Sequence, residues 1–215
     1  MFTEARRRLL MLAVALVLPT TAVAQQLLED FLVAVNNDKA ADVRAMLARG
    51  MDANTVDANG DPVLFIAARG GHAAVVDVLL AAKADVDRRN RFGDTALMTA
   101  SLNGHLRIAK ALRARGAAID FNGWTPLIYA STGGHDEVVR WLIAEGADVN
   151  AKSPNGTTAL MMAAREGKYS TALLLIDRGA DVNRRNDSGA SALDWATRNG
   201  DTTLAERLKR AGARG

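Results

Sequence analysis

The chain reads as an all-α repeat, a solenoid of about six helix-turn-helix units joined by short hairpin loops. Three observations predict this. A block ending in Gly-Ala-Asp-Val-Asn recurs, most clearly at Gly146–Asn150 and Gly179–Asn183, thirty-three positions apart. Looser copies lie at Lys83–Asp87, Gly116–Asp120 and Gly50–Asn54. Turn glycines at Gly60, Gly93, Gly123, Gly156 and Gly189 keep the same register, with steps of 33, 30, 33 and 33. A fixed period of this length means stacked units, each too small to hold a core alone.

Each unit then follows one plan. After the turn glycine comes a small polar residue and a Leu: Thr95-Ala96-Leu97, Thr125-Pro126-Leu127, Thr158-Ala159-Leu160 and Ser191-Ala192-Leu193. Thr or Ser there caps a helix through its hydroxyl, and Pro is tolerated in the first turn. Small pairs such as Ala67-Ala68 and Ala163-Ala164 let neighbouring helices approach. A second glycine (Gly71, Gly104, Gly134, Gly167, Gly200) breaks the first helix. The second helix carries an apolar stripe at helical spacing, as in Val138, Val139, Trp141, Leu142 and Ile143. Gly116, Gly146, Gly179 and Gly212 close it, as a left-handed C-terminal position requires.

These motifs together, Gly-x-Thr-Pro-Leu-x-x-Ala, Gly-His, Val-Val-x-x-Leu and Gly-Ala-Asp-Val-Asn, resemble the ankyrin repeat over nearly everything after residue 26. The units fall at about 27–56, 57–89, 90–119, 120–152, 153–185 and 186–215. The last second helix shows charged outer positions, as a terminal cap needs for solubility. Three departures stand out. The His that the family usually places after Thr-Pro-Leu is replaced by Phe65, Met98, Ile128, Met161 and Asp194. Pro62-Val63 breaks the tetrapeptide of the second unit. Three residues are missing between Ile119 and Gly123, which shortens one hairpin and is expected to bend the stack.

The first residues form a separate object. Arg6-Arg7-Arg8 precedes an apolar run from Leu9 to Leu18, then Pro19, then Ala22-Val23-Ala24 before Gln25. That is the order of a cleavable signal peptide, here residues 1–24 with cleavage after Ala24. Ten apolar residues are too few for a retained span, which takes about 20. The expected location is therefore periplasmic or secreted, with no stable membrane insertion after cleavage. The chain has no Cys, which suits an oxidising compartment. Of 27 basic and 24 acidic residues, the leader holds three Arg and one Glu, so 24 and 23 remain. A nearly neutral mature chain disfavours nucleic acid as a partner.

No catalytic constellation is legible. His72, His105 and His135 each follow the glycine that breaks a unit, so they are copies of one structural position. Packed helices lie about 8–10 Å apart, whereas zinc–nitrogen bonds are about 2 Å, so one metal does not collect all three. No nucleophile elbow, phosphate loop or zinc-protease motif occurs, and the repeated Asp residues serve turns. The expectation is a chain that is not an enzyme and carries no cofactor and no metal. Trp141 and Trp195 lie on apolar stripes and read as core.

Resemblance to ankyrin arrays implies recognition of another protein through a concave face built from hairpin tips and first helices. Phe92, Phe121 and Trp124 fall on adjacent tips in mid-array, with Arg69 and Arg91 on one side and Arg165 on the other. Aromatic and Arg anchors are the composition of binding hot spots. Leu102, Asn103 and Arg198 complete the expected partner-binding set. The alternative for Phe121 and Phe92 is that they fold down over their hairpins. Arg88-Arg89-Asn90-Arg91 and Arg184-Arg185-Asn186 leave an acidic-partner patch open, since Arg pairs well with carboxylate. The functional expectation is a monomeric, exported module that binds a secreted or envelope protein. Its alternatives are an immunity or inhibitor protein acting on a periplasmic toxin or hydrolase, and a host-directed secreted effector.

Overall fold

The computed structural model describes residues 23–214, so the expected leader lies outside it except for Val23 and Ala24. Helix α1 is described over residues 23–36. It is followed by α2 (Ala40–Ala48), α3 (Val63–Gly70), α4 (Ala73–Ala81), α5 (Ala96–Leu102) and α6 (Leu106–Arg113). Then come α7 (Pro126–Gly133), α8 (Asp136–Ala144), α9 (Ala159–Arg165), α10 (Tyr169–Asp177), α11 (Ala192–Arg198) and α12 (Thr202–Arg210). Among the described residues the only β pairings are two isolated antiparallel bridges, Val56 with Pro62 and Lys152 with Thr158. The expected all-α repeat is therefore what forms.

The helices build two layers. First helices α3, α5, α7, α9 and α11 stack side by side, and second helices α2, α4, α6, α8, α10 and α12 stack behind them. The first helices start where the hydroxyls predict. Thr95, Thr125, Thr158 and Ser191 accept the backbone N–H of Met98, Ile128, Met161 and Asp194. Such a cap is worth about 1 kcal/mol. Pro62 occupies this place in α3 and offers no side-chain oxygen. Two of the residues that replace the family's usual His restore a hydrogen-bond acceptor there. The Met98 thioether accepts from Thr95 N–H, and the Asp194 carboxylate accepts from both the N–H and the hydroxyl of Ser191.

His72, His105 and His135 stand at the start of α4, α6 and α8. The ring of His135 donates from Nε2 to the carbonyl of Leu102 at 2.8 Å, one unit back. His105 makes the same, longer contact with Arg69 at 3.4 Å. The His105 and His135 rings tie consecutive units together.

Neighbouring hairpins are joined by a second device. One Asn or Asp oxygen accepts a backbone N–H from the next unit: Asn54 from Asp85, Asp87 from Ala118, Asn150 from Asp181, and Asn183 from Arg214. Asp120 holds the equivalent place in the shortened hairpin, and it forms no such bond to Asp148. The core divides at the same junction. Buried side chains form one group from Phe31 to Ala117 and another from Leu127 to Leu208; Ile119 and Trp141 touch both.

Candidate protein-binding surface

The hairpin tips are held by side chains of their own turns. Asn90 Oδ1 accepts from the N–H of Phe92 and of Asp94, and Asn186 Oδ1 accepts from Ser188 and Ala190. Asp57 does the same for Asn59 and Asp61. An Asx turn of this kind fixes where the following residues point. Phe92 is consequently held out in solvent at 71% exposure, with the Arg91 guanidinium 4.7 Å from its ring centre.

The other two aromatics sit lower. Phe121 is half-buried beneath Arg89, whose guanidinium lies 4.5 Å from the ring centre. Phe121 is thus partly covered by the neighbouring hairpin, whereas Phe92 stays exposed. Trp124 is half-buried against the C-terminal core group, with its ring 5.9 Å from that of Tyr129. Tyr129 donates to Asp94 on the preceding hairpin. Burial, then that bond and the charge of Asp94, push the Tyr129 hydroxyl well above its usual value.

The first-helix ends carry the remaining expected residues. Arg69 is paired with Asp61 at 3.1 Å and lies over the Phe65 ring. Leu102 is half-buried and lends its carbonyl to His135, while Asn103 is exposed and donates back to the Thr99 carbonyl. Arg165 approaches Glu166 at 3.5 Å.

Trp195 corrects the sequence expectation. It packs on the C-terminal core group but is half-exposed, flanked by Arg165 at 5.3 Å and Arg198 at 5.1 Å from a ring centre. Register was the available signal: Trp195 lies two residues after the helix-starting Leu193, as half-exposed Tyr129 does after Leu127. Trp141 is likewise half-exposed, in the second-helix layer. The Arg-rich turns are also more committed than their sequence suggests. Arg89 and Arg185 donate to the Gly93 and Gly189 carbonyls of their own hairpins, and Arg184 pairs with Asp181. Asp194 is held below the ordinary carboxylate range by the N–H and hydroxyl of Ser191, with Arg185 and Arg198 adding to it.

The structure brings the expected residues together only in part. In mid-array Phe92 stacks with Arg91, Phe121 with Arg89 and Trp124 with Tyr129, while Arg165 and Arg198 gather around Trp195 at the C-terminal end. Among the described residues no three His, Asp or Glu come together to hold a metal, and no helix is long and apolar enough to cross a membrane.

Rigid stacked helix pairs that display aromatic and guanidinium groups along one layer define a helical-repeat recognition protein. The family model for ankyrin repeats (3 copies) matches residues 31–122, 64–153, 114–186 and 151–214 in overlapping segments. The chain belongs to the ankyrin repeat family, whose fold is a protein–protein interaction module. Comparison with curated proteins yields no match.

Proposed function

We propose that this is an exported, non-catalytic interaction module that binds one secreted or envelope protein through its hairpin tips and first helices. The observation that carries the reading is Phe92, held in water by an Asx turn and braced by Arg91. An aromatic ring in that position contributes little to folding and presents a rigid apolar anchor to a partner. Phe121 and Trp124 on the next hairpin, and Arg69, Leu102, Asn103, Arg165 and Arg198 at the first-helix ends, make up the rest of the proposed surface. The leader-like order of residues 1–24 supports export to the periplasm or beyond.

Replacing Phe92, Phe121 and Trp124 with Ala, alone and together, tests the site. Partner retained by the wild-type chain from envelope extract, and identified by mass spectrometry, is lost with Phe92→Ala while helicity is preserved. Undiminished capture of that same protein by the triple variant removes the site assignment. Cell fractionation with N-terminal sequencing tests export separately; the expected mature N-terminus is Gln25.

A further inference from the structure

We infer that the second-helix layer carries a separate docking cleft, between α6 and α8, for an acidic segment of a protein partner. It lies in the layer opposite the first-helix surface and does not depend on the function proposed for that surface. It is an open groove of about 720 Å³ lined by Lys110, Arg113, Ala114, Gly116, Trp141 and Glu145. It opens at the junction whose hairpin is three residues short. There the core is divided, and Trp141 bridges its two halves while keeping part of its ring in solvent.

Charge selects the occupant. The stretch from Thr95 to Ile119 holds Arg107, Lys110, Arg113 and Arg115 and not one Asp or Glu. Arg107 pairs with Asp77 at 2.8 Å and Arg113 with Glu145 at 3.4 Å, both across to neighbouring helices. Arg115 donates to the Leu80 carbonyl, which leaves its charge unopposed, and Lys110 is exposed with no ion pair among the described residues. Lys110 and Arg113 against Glu145 leave the groove lining with a net positive charge beside a half-exposed indole, which suits an apolar side chain flanked by carboxylates. The apolar group covers Trp141, one carboxylate reaches Lys110, and another shares the Arg113 guanidinium with Glu145.

Trp141 can report its own occupancy. The chain has three Trp, so Trp124→Phe with Trp195→Phe leaves it as the sole emitter. That full-length variant is titrated with an end-blocked Glu-Glu-Leu-Glu-Glu peptide, with the Gln-Gln-Leu-Gln-Gln analogue, and with phosphatidylglycerol vesicles. The expected result is a saturable emission change with the Glu peptide alone, weakening as salt rises. Adding Lys110→Glu, a solvent-facing change that leaves the fold's contacts intact, weakens it several-fold. Adding Arg113→Glu as well weakens it further. Four outcomes would overturn the proposal. These are no saturable change, an equal response to the Gln analogue, a response to vesicles alone, or binding unaffected by Lys110→Glu.

Discussion

Asn150 and Asp120 hold the same place in successive hairpins, yet only Asn150 reaches the next unit. Its carboxamide accepts the N–H of Asp181 at 2.8 Å and donates to the Gly179 carbonyl at 3.3 Å. The hairpin that carries Asp120 is three residues short, and an open notch of about 680 Å³ lies between it and the next hairpin. The first helices compensate at that junction. Tyr129 bonds Asp94, and Gly133 packs beneath the Leu102 carbonyl. Cohesion between units is thus carried at two levels, hairpin rim and helix layer, and weakening at one is offset at the other.

The sharpest way to break that comparison is at Gly133. The second unit also has a glycine here, Gly70, but three others place Asn103, Glu166 or Asn199, and only at Gly133 would a Cβ meet the backbone of the preceding unit. Between the third and fourth units a Cβ on Gly133 would overlap the Leu102 carbonyl oxygen and the His135 ring. Ala ordinarily favours a helix over Gly, but overpacking against backbone costs about 1–3 kcal/mol and wins. Gly133→Ala is expected to lower Tm clearly while Glu166→Ala leaves it nearly unchanged. Equal melting of both variants means that the first helices are no closer at this junction than elsewhere.

The rim is tested by paired truncations. Asn150→Ala removes two inter-unit hydrogen bonds, worth about 1 kcal/mol in total at this exposed site. Asp120→Ala removes none and is expected within about 0.5 kcal/mol of wild type. Denaturant midpoints measure both. A cost at Asp120 as large as that at Asn150 shows that the shortened hairpin is joined after all.

How far the sequence carries can be judged at these same residues. The unit plan was legible because its determinants are local: a hydroxyl three residues before the N–H it caps, and a glycine where the chain turns left-handed. The step of 30 also marked the irregular junction. What it did not disclose was the response, since the approach of Gly133 to Leu102 depends on two helices more than thirty residues apart. Trp195 was misjudged for a related reason. An apolar stripe marks the face a helix turns inward, but how much of an indole stays wet is set by the adjacent unit. Phe92 and Phe121 looked alike as tip aromatics; the Asx turn of Asn90 and the shortened loop separate them.

Smaller effects sharpen the contrast between the irregular middle and the C-terminal unit. Asp194→Asn keeps the shape of the α11 cap but removes the charge that Ser191, Arg185 and Arg198 stabilise. With its side chain about a third exposed, the loss is about 0.5–1 kcal/mol at neutral pH. Because folding depresses the carboxyl pKa, the contribution is fully present above the usual value of 3.8 and disappears as pH falls through the lower folded value. Melting curves of the two proteins should therefore converge in acid. Divergence that persists well below that range would assign the effect to shape.

The mildest prediction concerns Lys83. It closes α4 at φ +61°, where Gly116, Gly146 and Gly179 close the other second helices at +92°, +97° and +85°. A side chain in this conformation costs about 1–2 kcal/mol, and Gly removes that strain. Gly also enlarges the unfolded ensemble, which returns about 0.4–1 kcal/mol to the other side. Lys83→Gly should raise the denaturant midpoint slightly without changing its slope. A decrease would show that the Lys83 side chain does more at this turn than occupy a glycine's place.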